Sequence, residues 1–191
     1  MSQDDQDLDF TRAPSRPTPP PTAEQVASAK QEASTGTPQL ARTGYYIAKS
    51  RIEGARIIPR NGSRHTIFVI EDDRDLARLV GEVLATAGFL TRFARNKQEI
   101  NTEFNRTPLP DLVLLDVSLP DADGFSILER VRGNAKISRI PVVMMTGRSE
   151  PADVARGLTL GADGYVTKPF KIAGLVAAIH AVLDGAQARN P

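Results

Sequence analysis

The chain has no cysteine and only two histidines in 191 residues. Without thiols it has no disulfide scaffold, no thiolate zinc site and no cysteine nucleophile. His65 and His180 alone exclude a His-rich metal site. Charge of one sign is also missing. Twenty-four Lys and Arg oppose 23 Asp and Glu, a formal net charge of +1, which supplies no global reason to bind nucleic acid or anionic lipid. No apolar run is long enough to span a bilayer. The most apolar stretch, Ala173 to Leu183, is interrupted by His180 and is too short. The N-terminus, Met1 to Asp5, is acidic and polar, without the basic region and apolar core of a secretory signal. The expectation is a soluble cytoplasmic protein, with one ordinary domain and something left over or two very small ones. No internal repeat is visible.

What is present divides in two. Residues 1–63 carry seven prolines, at 14, 17, 19, 20, 21, 38 and 59. The run Pro17 to Pro21 favours polyproline II. Residues 1–40 hold few large apolar side chains and are expected to be disordered, because they cannot bury enough surface to offset their ordering entropy. Residues 43–58 differ. Tyr45, Tyr46, Ile47, Ile52, Ile57 and Ile58 interleave with Lys49, Arg51 and Arg56. Such a segment can dock on a partner, on an anionic surface or on its own domain, or it is a plain linker.

From Thr66 onward apolar runs alternate with amphipathic stretches. Strands are expected at Thr66 to Ile70, Phe89 to Ala94, Asp111 to Leu115, Pro141 to Met145 and Gly164 to Thr167. Leu76, Leu79, Val80, Val83 and Leu84 fall at helical spacing, with Gly88 as a stop. Further helices are expected at Asn96 to Asn105, Asp123 to Arg132, Pro151 to Leu160 (opened by Ser149) and Ile172 to Leu183. Five strand–helix units in strict alternation argue an α/β fold. The economical form is a doubly wound five-stranded parallel sheet of order 2-1-3-4-5, flavodoxin-like.

In such a sheet ligands bind beyond the carboxyl ends of the strands, and the polar residues fall there. Glu71 and Asp72 follow the first strand, Asp116 the third, Thr146 the fourth and Lys168 the fifth. Each has a bland alternative as a cap, a turn residue or a solvated charge. Their joint placement on one edge is what argues for a site. Two like charges about 4 Å apart at an effective dielectric near 20 cost roughly 4 kcal/mol, so three acids in one cleft require a cation. A hard divalent ion such as Mg²⁺ meets this with oxygen ligands, and Lys168 adds a further positive charge. Acids, cation, lysine and hydroxyl together are what a phosphoryl group needs. Neither G-x-G-x-x-G nor G-x-x-x-x-G-K-[ST] occurs, so no nucleotide loop is expected.

Four pieces carry a resemblance: Ile67 to Asp73 (IFVIEDD), Leu112 to Gly124 (LVLLDVSLPDADG), Pro141 to Gly147 (PVVMMTG) and Gly161 to Phe170 (GADGYVTKPF). In this order and spacing the chain resembles the receiver domain of bacterial two-component response regulators, over residues 64–186, between the extension 1–63 and a tail 187–191. The resemblance implies that Asp116 accepts a phosphoryl group from a histidine kinase or a phosphotransfer protein. It implies Asp72 as a direct Mg²⁺ ligand, Glu71 acting mainly through water, and Asp116 and the Ser118 backbone carbonyl as further ligands. Lys168 and Thr146 would hold phosphoryl oxygens. Tyr165 matches the aromatic that swings inward when Thr146 moves. The Lys168–Pro169 bond is expected to be cis, and Asp123-Gly124 to close the loop over the acceptor. Ser118 and Arg148 border the phosphoryl group and would influence its lifetime.

The leading expectation is a stand-alone receiver acting as a phosphorylation-dependent interaction module, not an enzyme beyond its own phosphorylation and dephosphorylation. No C-terminal output domain and no direct DNA binding are expected. Output would run through an unknown downstream protein, with homodimerisation on phosphorylation one form of it. Two other readings stay open. One is a constitutive scaffold, or a nucleic-acid or membrane binder acting through residues 42–60. The other is a phosphatase of the haloacid dehalogenase type, against which Ser118 counts, since that family places a second Asp there.

Overall fold

A computed structural model describes residues 9–12, 21–48, 56–147 and 151–185. Lys49, Arg51, Ile52, Glu53, Arg148, Ser149, most of the Pro17 to Pro21 run and the tail lie outside the described residues.

The parallel sheet forms as the periodicity predicts. Its strands are β2 (Thr66–Ile70), β3 (Leu90–Ala94), β4 (Leu112–Asp116), β5 (Val142–Thr146) and β6 (Gly164–Thr167). Between and after them run α2 (Arg74–Thr86), α3 (Lys97–Phe104), α4 (Gly124–Gly133), α5 (Pro151–Leu160) and α6 (Ile172–Leu183). Every residue of β2, β4 and β5 is buried. Helices cover both faces, so these strands read as unbroken apolar runs instead of alternating ones. One apolar cluster lies toward α3, α4 and α5, and a second toward α2 and α6.

The ends of the elements follow local chemistry. Asp73 caps α2, its carboxylate accepting from Asp75 N–H and Leu76 N–H. Asn96 caps α3 through Glu99 N–H, and Asp123 caps α4 through Phe125 N–H. Asp111 falls just before β4 and is fully buried. Its two oxygens accept from Thr66 N–H at 2.8 Å and Arg60 N–H at 3.0 Å, so it ties the start of β2 to the loop before it.

Two expectations need correction. The sheet has six strands, in the order β1-β6-β5-β4-β2-β3. The five parallel strands keep the expected 2-1-3-4-5 order. The sixth, β1 (Tyr45–Ile47), pairs antiparallel on the outer edge of β6, Tyr46 standing opposite Tyr165. The second correction concerns the segment expected to lack structure. Residues Ala23–Thr43 form a helix, α1, which lies along α5. Thr22 and Gln25 close a reciprocal capping box at its start, and Gly44 ends it at φ +81°. Its buried residues, Ala29, Ala33, Gly36 and Leu40, fall on one helical face. The stripe was easy to overlook because three of its four members are Ala or Gly, which carry little apolar signal.

The described parts of the basic, apolar segment, residues 43–48 and 56–58, lie against their own chain. Tyr45 to Ala48 lie on β6, Ala48 N–H donating to Asp163 O at 2.9 Å. Ile57 packs with the α2–α6 cluster, while Ile58 is exposed.

Candidate functional site

The carboxyl ends of β2, β4, β5 and β6 bring together Glu71, Asp72, Asp116, Thr146 and Lys168. Glu71 leaves β2 and is 2 % exposed; Asp116 ends β4 and is 4 % exposed; Thr146 ends β5 and is 1 % exposed. Because Asp73 takes the capping role for α2, neither Glu71 nor Asp72 is needed for it. Glu71 Oε1 accepts from Asp73 N–H at 3.3 Å.

Lys168 joins the acids. Its Nζ lies 2.6 Å from Glu71 Oε2 and 2.8 Å from Asp116 Oδ2. Its backbone N–H donates to Thr146 O at 2.8 Å, and the Lys168–Pro169 bond is cis. Burial pulls the Lys168 ammonium down, but its hydrogen bonds to Asp116 and Glu71 outweigh this and leave its pKa raised. Glu71 is also raised. Burial is the largest cause, the Lys168 hydrogen bond opposes it, and the Asp116 charge adds to it.

Glu71, Asp72 and Asp116 each present a carboxylate oxygen within 4.8 Å of the others. A donor set made only of oxygens, with room left for water, suits a hard divalent cation. One lysine cannot balance three carboxylates, so the charge count favours such an ion as well.

The loop after Asp116 closes tightly over it. Ser118 N–H donates to Asp116 Oδ1 at 3.1 Å, Gly124 N–H to Val117 O at 3.0 Å, and Ser118 and Asp123 form an isolated bridge. At Gly124 any Cβ would collide with the Asp116 carbonyl oxygen, so the start of α4 approaches β4 as only glycine allows. Asp123 is also tied to α5, Arg156 donating to its Oδ2 at 3.0 Å while its guanidinium covers the Phe125 ring at 4.2 Å. Sequence reading missed Arg156. An arginine on a surface helix carries no local signal of a contact 33 residues back in the chain.

Tyr165 is buried. Its hydroxyl donates to Val154 O at 3.2 Å and lies against Gly157, where a Cβ could not fit.

Comparison with known proteins agrees with the geometry. The family model described as the response regulator receiver domain matches residues 67–180. The chain belongs to this family. The receiver domain is a signalling module that takes its phosphoryl group from histidine kinases and binds Mg²⁺ at an acidic pocket. The chain is 41% identical over 117 residues to the phosphate regulon transcriptional regulatory protein PhoB of Klebsiella pneumoniae, covering 61% of this chain and 51% of that protein. It is 36% identical over 122 residues to the transcriptional regulatory protein GltR of Pseudomonas aeruginosa, covering 64% and 50%. The chain thus spans about half the length of the curated relatives it matches. Among solved structures, the signal receiver domain of a Syntrophus aciditrophicus signal transduction histidine kinase aligns at a TM-score of 0.57. It is 32% identical and covers 66% of this chain and 95% of that one. The receiver domain of the Francisella response regulator 1452 aligns at 0.58, with 26% identity and 63% and 97% coverage. Membership sets aside the phosphatase reading. Among the described residues no helix is long and apolar enough to cross a membrane.

Proposed function

We propose that the chain is a phosphorylation switch in which Asp116 is the acceptor. The observation that carries this is the single Lys168 ammonium held between Glu71 and Asp116, with Asp72 completing a ring of oxygens at the strand ends. A carboxylate oxygen of Asp116 attacks the phosphorus of a phosphohistidine on a histidine kinase or a phosphotransfer protein. The P–N bond breaks, the nitrogen keeps the electron pair, and an acyl phosphate forms on Asp116. Lys168 follows the charge to the phosphoryl oxygens, and the Thr146 hydroxyl donates to another. Asp72 directly, Glu71 through water and the Ser118 carbonyl would hold Mg²⁺. This ion supplies charge neutralisation and orientation of the phosphoryl oxygens. Ser118, and Arg148 on the strength of the family resemblance alone, influence the lifetime of the phosphoryl group. Tyr165 follows Thr146, and the signal passes on by protein–protein contact.

The test is intact mass after incubation with Mg²⁺ and a small phosphodonor. Wild type should gain one phosphoryl group, while Asp116→Asn gains none and a chelator abolishes the gain. If neither a small donor nor a panel of phosphorylated kinases and phosphotransfer proteins modifies the wild type, the switch reading is wrong.

A further inference from the structure

The segment preceding the family match covers one side of the domain and is built unlike the core beneath it. It meets the domain at two separated places, one held by an inserted aromatic and the other by strand pairing on β6. The Phe10 ring stacks on Phe104 at 5.6 Å and lies under the Arg130 guanidinium at 4.7 Å. Asn101 Oδ1 accepts from Phe10 N–H at 2.6 Å, and Arg130 donates to Asp9 O at 2.6 Å and Arg12 O at 2.7 Å. At the second place β1 pairs with the edge of β6, and within the segment the Tyr46 ring lies back against Gly36, where a Cβ would stand 2.8 Å from the ring, so the strand is tied to α1. The Tyr46 hydroxyl donates to Glu32 Oε1 at 3.0 Å.

Between these places the binding element is weak by composition. α1 carries Gly36 and Pro38 in its interior, both costly to a helix, and its buried stripe is mostly Ala and Gly. Packing, not propensity, holds it, so undocking and melting are one event. β1 contributes three residues to the ladder.

The surface beneath is joined to the site. β6 is four residues long. On its outer edge Thr167 N–H donates to Gly44 O at 3.0 Å, and the next residue, Lys168, reaches Asp116 at 2.8 Å. Tyr165, opposite Tyr46, anchors on α5, along which α1 lies.

We propose that residues 21–48 are a built-in, displaceable ligand of the α5–β6–α6 face, and that a phosphoryl group on Asp116 weakens their hold on it. The release rests on the reading of Asp116 as acceptor. An acyl phosphate replaces the single charge of the Asp116 carboxylate with nearly two, carried further out, beside an ammonium that is now divided between two carboxylates. Lys168 is drawn to it. A short strand pulled at its end transmits the movement to the Thr167–Gly44 bond and to Tyr165. The element held by small side chains and a three-residue ladder opens before the parallel core does. By linkage, whatever undocks the segment favours the phosphorylated site to the same degree.

Hydrogen exchange by mass spectrometry on the full chain tests this, with Ala48 N–H as reporter. Three samples are compared: wild type, Gly36→Leu, and wild type treated with Mg²⁺ and phosphodonor, intact mass reporting the modification in the last. Residues 45–48 should be protected in wild type. They should exchange about tenfold faster or more in Gly36→Leu, with β2 and β4 unchanged. The phosphorylated fraction should shift toward the Gly36→Leu pattern. Equal protection with and without the phosphoryl group overturns the coupling. Loss of β2 and β4 protection in Gly36→Leu makes the segment part of the core and overturns the docking. No mass gain overturns the acceptor reading and the release with it, while Gly36→Leu still decides the docking.

Discussion

Lys168 Nζ stands between Glu71 Oε2 and Asp116 Oδ2, at 2.6 and 2.8 Å, so one ammonium bridges carboxylates that leave two neighbouring strands. Removing it leaves two buried anions facing each other. Lys168→Met should lower stability at neutral pH by roughly 3 kcal/mol, the order expected when one member of a buried charge group is deleted. Millimolar Mg²⁺ should restore a large part of it, because the ion replaces the lost charge. Urea unfolding with and without Mg²⁺ measures both. An unchanged midpoint in the metal-free variant would show that the bridge contributes nothing.

The raised pKa of Glu71 makes a pH prediction for the metal-free protein. The folded state holds the Glu71 proton to a higher pH than the unfolded state, whose value is near 4.5. More protons are therefore bound folded than unfolded in that window, and stability falls as pH rises from 4.5 through the raised folded value. Glu71→Gln should remove this part of the slope. Urea midpoints against pH in chelator, for wild type and variant, read it directly. Parallel curves would place Glu71 outside the titration.

Gly124→Ala pushes a methyl group into the Asp116 carbonyl oxygen and toward Val117 Cα, which lies 2.8 Å from the Cβ position. Backbone cannot give way as a side chain can. The expected loss is about 1–3 kcal/mol, typical of overpacking. Because the collision displaces Asp116, the proposed acceptor, phosphoryl gain should slow as well. Thermal melts and time-resolved intact mass check the two effects separately.

Arg132 makes a structural prediction away from the site. Its guanidinium donates to Asp163 Oδ2 at 2.6 Å and to the carbonyls of Gly161, Ser138 and Ile140 at 2.9, 2.9 and 2.7 Å. Asp163 Oδ2 also accepts from Val142 N–H at 2.7 Å, so the pair locks α4 to the starts of β5 and β6. Arg132→Met should cost roughly 3–5 kcal/mol by stranding Asp163. Asp163→Asn together with Arg132→Met should recover part of that loss, as a double-mutant cycle in urea would show.

Much of the site was legible because its residues follow recognisable strands. Asp116 ends an unbroken apolar run, and Lys168 follows a short strand after Gly161 and Gly164. Right-handed crossovers then leave one edge where all of them meet. The exceptions are contacts between distant elements. Arg156 reaching Asp123, Arg132 reaching Asp163 and Asn101 receiving Phe10 are polar residues on helices whose partners lie far along the chain. No spacing rule announces them.

Local patterning was enough to determine five strands, their helices, their order and the acids gathered at one end, because each depends on periodicity, caps and turn residues within a few positions. The tertiary structure alone decided that residues 21–48 form a helix and a sixth strand. Pro38 and Gly36 argue against a stable helix in isolation, Ala29 and Ala33 give its buried face little apolar signal, and a three-residue strand carries almost none. These elements exist because α5 and the open edge of β6 provide a surface to fold on. The slots that Gly36 leaves for Tyr46 and Gly157 leaves for Tyr165 form only once each helix lies against the strand that carries the tyrosine.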